Sequence, residues 1–396
     1  MMYNITMKQK IISAFFLCVA ALGFPAGKIE NPEQKEIPLA GGQQVQTMVS
    51  RENPEPGKIF PVLTKEGVYS CGKQPKQVIF TPDGKYIVLP LLDENGFDIF
   101  DIETKKIIKR INPPGNSQKG FVEGIFIPEK SSFFISQMTT NSIYEYSYPG
   151  FEFKREIPTG GIWSKFIAWN KEQNYIAVSN WVSNNISIID YNTGELLALI
   201  ETEKAPRGII FTEDGKSLIS LSFERGTIQK FSISEPLPEE AAATGRKLTV
   251  TEDKRIFINN AAMRHIVVNK DETKAWISDM YHFKIYEINL SGFTISKELK
   301  VFHNPNTIEL LNDRFLFVSS RGPNNPVDYT LRSPQNGKIT VIDTGDFSVY
   351  TVFEGGNQPT GLDISPQGNL LCFSDFQDAA LELYRIDYSV SPPVKN

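Results

Sequence analysis

From residue 58 to residue 389 the chain alternates short apolar runs with polar breaks. Residues 359–387 show the unit most plainly. Gly361–Ser365 alternates apolar and polar positions, and Pro366-Gln367-Gly368-Asn369 interrupts it. Leu370–Ser374 is a second apolar run, and Leu381–Ile386 a third after another polar break. Period-two alternation predicts strands, and the breaks carry the residues that turns need. A unit of this size cannot bury its apolar face alone, so neighbouring copies must cover it.

Copies are present. Aligned on the apolar residue that closes the first strand, they fall at Phe80, Phe126, Trp169, Phe211, Val268, Leu310 and Ile364, with spacings of 46, 43, 42, 57, 42 and 54 residues. A period near 42 with two insertions predicts an all-β, seven-bladed β-propeller with four-stranded antiparallel blades. Blade seven lacks a fourth strand. Residues 59–69 precede Gln74-Pro75 as Ser348–Phe353 precedes Gln358-Pro359, so the N-terminal strand is expected to complete the last blade and close the ring.

The flanks read differently. Lys8 and Lys10 followed by an apolar stretch over 11–24 predict a signal peptide over residues 1–23. Residues 24–57 lack periodicity and are rich in Pro, Gly, Glu and Gln, which predicts a flexible stem. The propeller is expected over 58–389 and a tail over 390–396. The expected location is therefore outside the cytoplasm: periplasm, cell surface or secreted. Cys18 inside the signal offers a lipid anchor, the one membrane attachment expected. The other two cysteines, Cys71 and Cys372, are expected to be buried thiols two strands apart, too far for a disulfide. A net charge of −5 gives no basic footprint and argues against nucleic acid.

The second strands read FFISQ (133–137), IAVSN (176–180), AWISD (275–279), LFVSS (316–320) and LCFSD (371–375), and third strands read FDIFD (97–101), ISIID (186–190) and ITVID (339–343). With the turns TPDGK and TEDGK, these resemble the YVTN family of bacterial β-propeller repeat proteins. The resemblance implies the fold and leaves the function open, because one such fold hosts many activities.

Candidate chemistry gathers on the face formed by the fourth-to-first and second-to-third loops, termed the top. Lys76, Glu123, Lys165, Arg207, Arg264, Asn306 and Thr360 begin the first strands in this alignment and should ring the channel mouth. The candidate ligand-binding set is Arg207, Arg264, His265, Tyr281, His282, Arg321, Asn324, Asn325, Tyr329, Arg332, Trp163 and Trp181. It includes the blade-six loop, Arg321–Gly337. Positive and aromatic groups of this kind suit an anionic or aromatic ligand. His265, His282 and His303 lack compact ligand spacing, so no metal and no cofactor are expected. No G-x-S-x-G, H-E-x-x-H or Walker sequence occurs. The reading is a non-enzymatic binding module in the cell envelope, its partner a protein, a peptide or a small anion. The alternative is a lactonase-like hydrolase with its site at the channel mouth.

Overall fold

The computed structural model describes residues 59–390 apart from 240–244, 246, 329 and 330. The signal peptide, Cys18, the stem, Tyr329 and residues 391–396 lie outside the described residues. Seven four-stranded antiparallel sheets form a seven-bladed β-propeller, with almost no helix among the described residues. In sequence order the strands of blades one to six run from the channel outward. The inner strands are Ile79–Phe80, Phe121–Ile127, Ser164–Asn170, Pro206–Thr212, Met263–Val268, Pro305–Leu311 and Pro359–Ile364.

Blade seven takes its outermost strand from the other end of the propeller. Phe60–Ser70 pairs antiparallel with Ala380–Ser389, from Phe60↔Ser389 to Ser70↔Ala380. Phe60 stacks on Tyr350, whose hydroxyl donates to the Pro61 carbonyl at 3.1 Å, so blade six also holds the closing strand. The expected closure is observed.

There is no single core. The buried apolar side chains fall into seven clusters, each shared by two neighbouring blades. Strand alternation accounts for this. Along Tyr175–Asn180, Ile176 and Val178 pack toward blade two, and Ala177 packs toward blade four. Cys372 and Cys71 are unpaired thiols packed into the cluster between blades seven and one.

Local chemistry sets the turns. Gly84, Gly215 and Gly368 take φ between +69° and +79° in the first turn of their blades, where a Cβ is disfavoured. The aspartates closing third strands cap the next turn: Asp101 and Asp190 accept from the N–H of Thr104 at 2.8 Å and Thr193 at 2.7 Å. In blade four the fourth strand is Thr249–Phe257, pairing antiparallel with Thr227–Ser234.

Candidate functional site: a cationic well at the top of the channel

Inner-strand pairing breaks register at one place in each of blades two to seven, as between Ser164 and Ile167 or Pro206 and Ile209. Such a bulge re-aims side chains. The first residue inside the break is Val122, Lys165, Arg207, Arg264, Asn306 and Thr360 in turn, and Lys76 holds the matching place in blade one, between the Pro75↔Leu91 bridge and Ile79. The pairing corrects the sequence alignment at Glu123. Val122 occupies the ring position, and Glu123 lies one residue further in, because the break falls between Phe121 and Gly124.

The repeated serine of the second strand fixes these bulges. Ser179 accepts the N–H of Phe166 at 3.0 Å in its own blade and donates to the Arg207 carbonyl at 2.9 Å in the next. Ser278 does the same for His265 and Asn306, and Ser319 for Thr307 and Thr360. Ser136 links Glu123 to the Lys165 carbonyl. One hydroxyl thus satisfies a bulge N–H and ties down the ring residue of the following blade.

The ring is strongly cationic. Lys76, Lys165, Arg207 and Arg264 are joined by Arg321, which enters from the loop after the second strand of blade six, its N–H bonded to the Asn304 carbonyl at 3.1 Å. Glu123 is the one carboxylate that the described residues place among them, and it pairs with Arg207 across blade three. Arg264 donates through Nε to Asn306 Oδ1 at 2.9 Å, and Arg321 bonds Gln358. Aromatic faces take part of the remaining charge. Lys165 Nζ lies 4.2 Å from the Trp181 ring centroid and 5.7 Å from that of Trp163. Lys76 and Arg321 flank Phe376 at 5.1 and 5.2 Å.

Burial and mutual repulsion disfavour this charge. Lys76 is held well below the ordinary lysine range, first by burial and then by Arg264, Arg321, Arg207 and Lys165. Lys165 is lowered by burial, then by Arg207 and Arg264. Both lysines lie deep in the propeller yet keep partial exposure, which fits a position lining the channel. Burial foremost also pulls Arg264 down, but from a value so high that the guanidinium stays charged. Arg207 is 2% exposed, and its Nε and Nη1, like Asn306 Nδ2, have no partner among the described residues. Buried donors of this kind call for an acceptor.

One residue further in, the Phe166 and His265 rings meet at 5.3 Å from blades three and five. Gly208 lies between them in blade four, where a Cβ would come within 3.1 Å of the Arg264 carbonyl oxygen. His265 is neutral at ordinary pH, lowered to about 3 by burial, then by Arg207 and Arg264.

The three histidines do not converge. His282 Nδ1 sits 2.8 Å from Asp279 in the blade-five turn, and His303 packs on Phe283 and Phe302. Of the candidate set, Arg207, Arg264, His265, Arg321, Trp163 and Trp181 gather at the mouth. Tyr281 lies further out, its ring 5.7 Å from Phe223. The blade-six loop is fastened to itself and its neighbours. Asn324 accepts from Asn304, Asn325 donates to the Arg332 carbonyl, and Arg332 pairs with Asp378. The candidate set lacked Lys76, Lys165, Phe223 and Phe376. The signal was in the repeat: Lys76 and Lys165 hold ring positions, and Phe223 and Phe376 come directly after the second strand as Trp181 does.

No family model matches the chain. The chain is 35% identical over 375 residues to antigen Lp49 of Leptospira interrogans serogroup Icterohaemorrhagiae serovar copenhageni (strain Fiocruz L1-130), a match spanning 90% of this chain and 79% of that protein. An identity of that level over most of both chains places this seven-bladed propeller in the family of antigen Lp49.

Proposed function

We propose that the chain is an exported propeller of the YVTN repeat type that acts as a non-enzymatic binding module of the cell envelope, holding an anionic group of its ligand in the cationic well. The carrying observation is the charge imbalance: among the described residues five basic side chains share the channel mouth with one carboxylate, and unpartnered buried donors lie among them. A fold does not assemble such a cluster for stability, since each added cation repels the rest. The ligand is a small anion, or a protein or peptide presenting one. The predicted signal peptide over 1–23 and stem over 24–57 support export, and a relative named an antigen is in keeping with it.

The test exploits opposite signs. At fixed ionic strength, replacing chloride with sulfate should raise the melting temperature of the wild type. Lys76→Met should melt higher than wild type without sulfate, because repulsion is relieved, and should lose most of the sulfate response. An anion favours the protonated lysines, so the sulfate response should grow as pH falls from 9 to 6. A wild type indifferent to sulfate and phosphate at both pH values sinks the reading.

A further inference from the structure

The well is not symmetric about the channel. On the side of blades six and seven, Phe376 is 4% exposed, and Lys76 and Arg321 flank it. That ring offers a ligand no face. The side of blades three to five is built differently. Trp163 and Trp181 stand beside Lys165, and both are partly exposed. Trp181 meets Phe223 at 4.9 Å, and Phe223 meets Tyr281 at 5.7 Å. Tyr281 is 54% exposed, and Ile162, next to Trp163, is 48% exposed. A graded wall of rings thus runs from a buried cation to solvent.

Resting on the anion-binding reading above, we infer that the ligand is an aryl anion: a phosphate, sulfate or carboxylate carried on a flat aromatic body. The anionic end enters the well toward Arg207 and Arg264. The body lies on the Trp181–Phe223–Tyr281 side. Charge complementarity fixes which end goes in. The part-exposed rings select the group attached to that end, because an aromatic body gains offset or edge contacts from such a wall that a hydrated anion cannot. Narrowness supports end-on entry, since Phe166 and His265 already touch one residue below the ring.

Calorimetric titration with three probes tests this: inorganic phosphate, phenyl phosphate and phenol. Phenyl phosphate should bind about five- to tenfold more tightly than phosphate, the increment an aromatic pair supplies, and phenol should not bind measurably. In Phe223→Ala the increment should shrink while phosphate binding is retained. The wild-type comparison stands whether or not that variant folds. Equal affinities for phosphate and phenyl phosphate overturn the aromatic body and leave the anion site standing. Phenol binding as tightly as phenyl phosphate overturns it too. Failure of both phosphates removes the anion reading itself.

Discussion

The two ends of the central channel use one backbone for opposite ends of the charge scale. At the top, the bulge position carries Lys76, Lys165, Arg207 and Arg264. Toward the bottom, the position held by Ile79, Ile125, Ala168, Ile210 and Val267 becomes Glu309 in blade six and Asp363 in blade seven. The bottom pair is settled internally. Asp363 accepts the N–H groups of Phe80 at 2.7 Å and Ile364 at 2.8 Å. Burial raises both carboxyls, Glu309 to about 7, and Glu309 pushes Asp363 further up. A carboxyl can shed its charge by taking a proton, whereas a guanidinium keeps its charge. The top therefore retains a charge that a ligand can answer. The open depression of about 590 Å³ beside Asp363 is lined mainly by Ile79, Phe80, Ile125, Phe126 and Ile364, and lacks a comparable set of directed donors.

The comparison presupposes a closed channel, so the largest effect comes from opening it. Deleting residues 58–70 removes the outer strand of blade seven and exposes the edge of Ala380–Ser389. The variant should lose cooperative thermal unfolding and phosphate binding together. A cooperative melt by circular dichroism would show that the ring does not depend on this strand.

Neutralising the bottom sharpens the contrast. Glu309 titrates at about 7 in the fold against 4.5 ordinarily, so the folded form holds its proton more tightly. Its contribution to stability is full below about pH 4.5 and is lost as pH rises through about 7. Glu309→Gln should therefore stabilise the protein at pH 8 relative to pH 4.5. Discounted for the partial solvent access of Glu309, the gain is about 1–2 kcal/mol. Denaturant melts of both proteins at the two pH values measure it, and phosphate binding at the top should stay unchanged. An equal effect at both pH values would mean that the carboxyl is already ionised at pH 4.5.

The serine bridges give a finer comparison within the top. Ser179→Ala removes the bond to the Arg207 carbonyl and leaves the Phe166 N–H without its acceptor. It should cost about 1 kcal/mol and weaken phosphate binding, because Arg207 loses its anchor. Leu221 occupies the same repeat position in blade four, so that blade carries no such hydroxyl. Ser220, one residue earlier, has a hydroxyl without a partner among the described residues, and Ser220→Ala should cost less. If both variants behave alike in urea melts, the hydroxyl bridge does not hold the ring.

The fold was legible because it is written seven times. Period-two alternation and the turns TPDGK, TEDGK and SPQGN gave blades whose anchors, Phe80 to Ile364, occupy one register position in the structure. The well was only half legible. Arg207 and Arg264 stand at ring positions that a repeat alignment can find. Glu123 misled by one residue: it stands three residues before its anchor Phe126, whereas the other ring residues stand four before theirs, an offset that already points to Val122. Phe376 and Phe223 were missed because an aromatic after a strand reads as core. Only closure of the ring sets Phe376 between a lysine of blade one and an arginine of blade six. Nor could spacing tell that Arg332 is committed elsewhere, since Asp378, its partner, belongs to the next blade.

That last residue carries the smallest expected effect. Arg332 is 60% exposed and pairs with Asp378, and its main-chain carbonyl, which accepts from Asn325, survives truncation of the side chain. An exposed pair of this kind is worth about 0.2–1 kcal/mol. Arg332→Ala should therefore shift stability by less than about 1 kcal/mol and leave phosphate affinity unchanged. Arg321, in the same loop, is 9% exposed and lies against Phe376 with its guanidinium directed to Gln358. Its replacement by Ala should weaken phosphate binding. Two arginines eleven residues apart in one loop thus separate a rim charge from a well charge. Phosphate titration of the two single variants decides the matter: comparable losses would extend the site outward over the blade-six loop, and a loss confined to Arg321 keeps it inside the channel mouth.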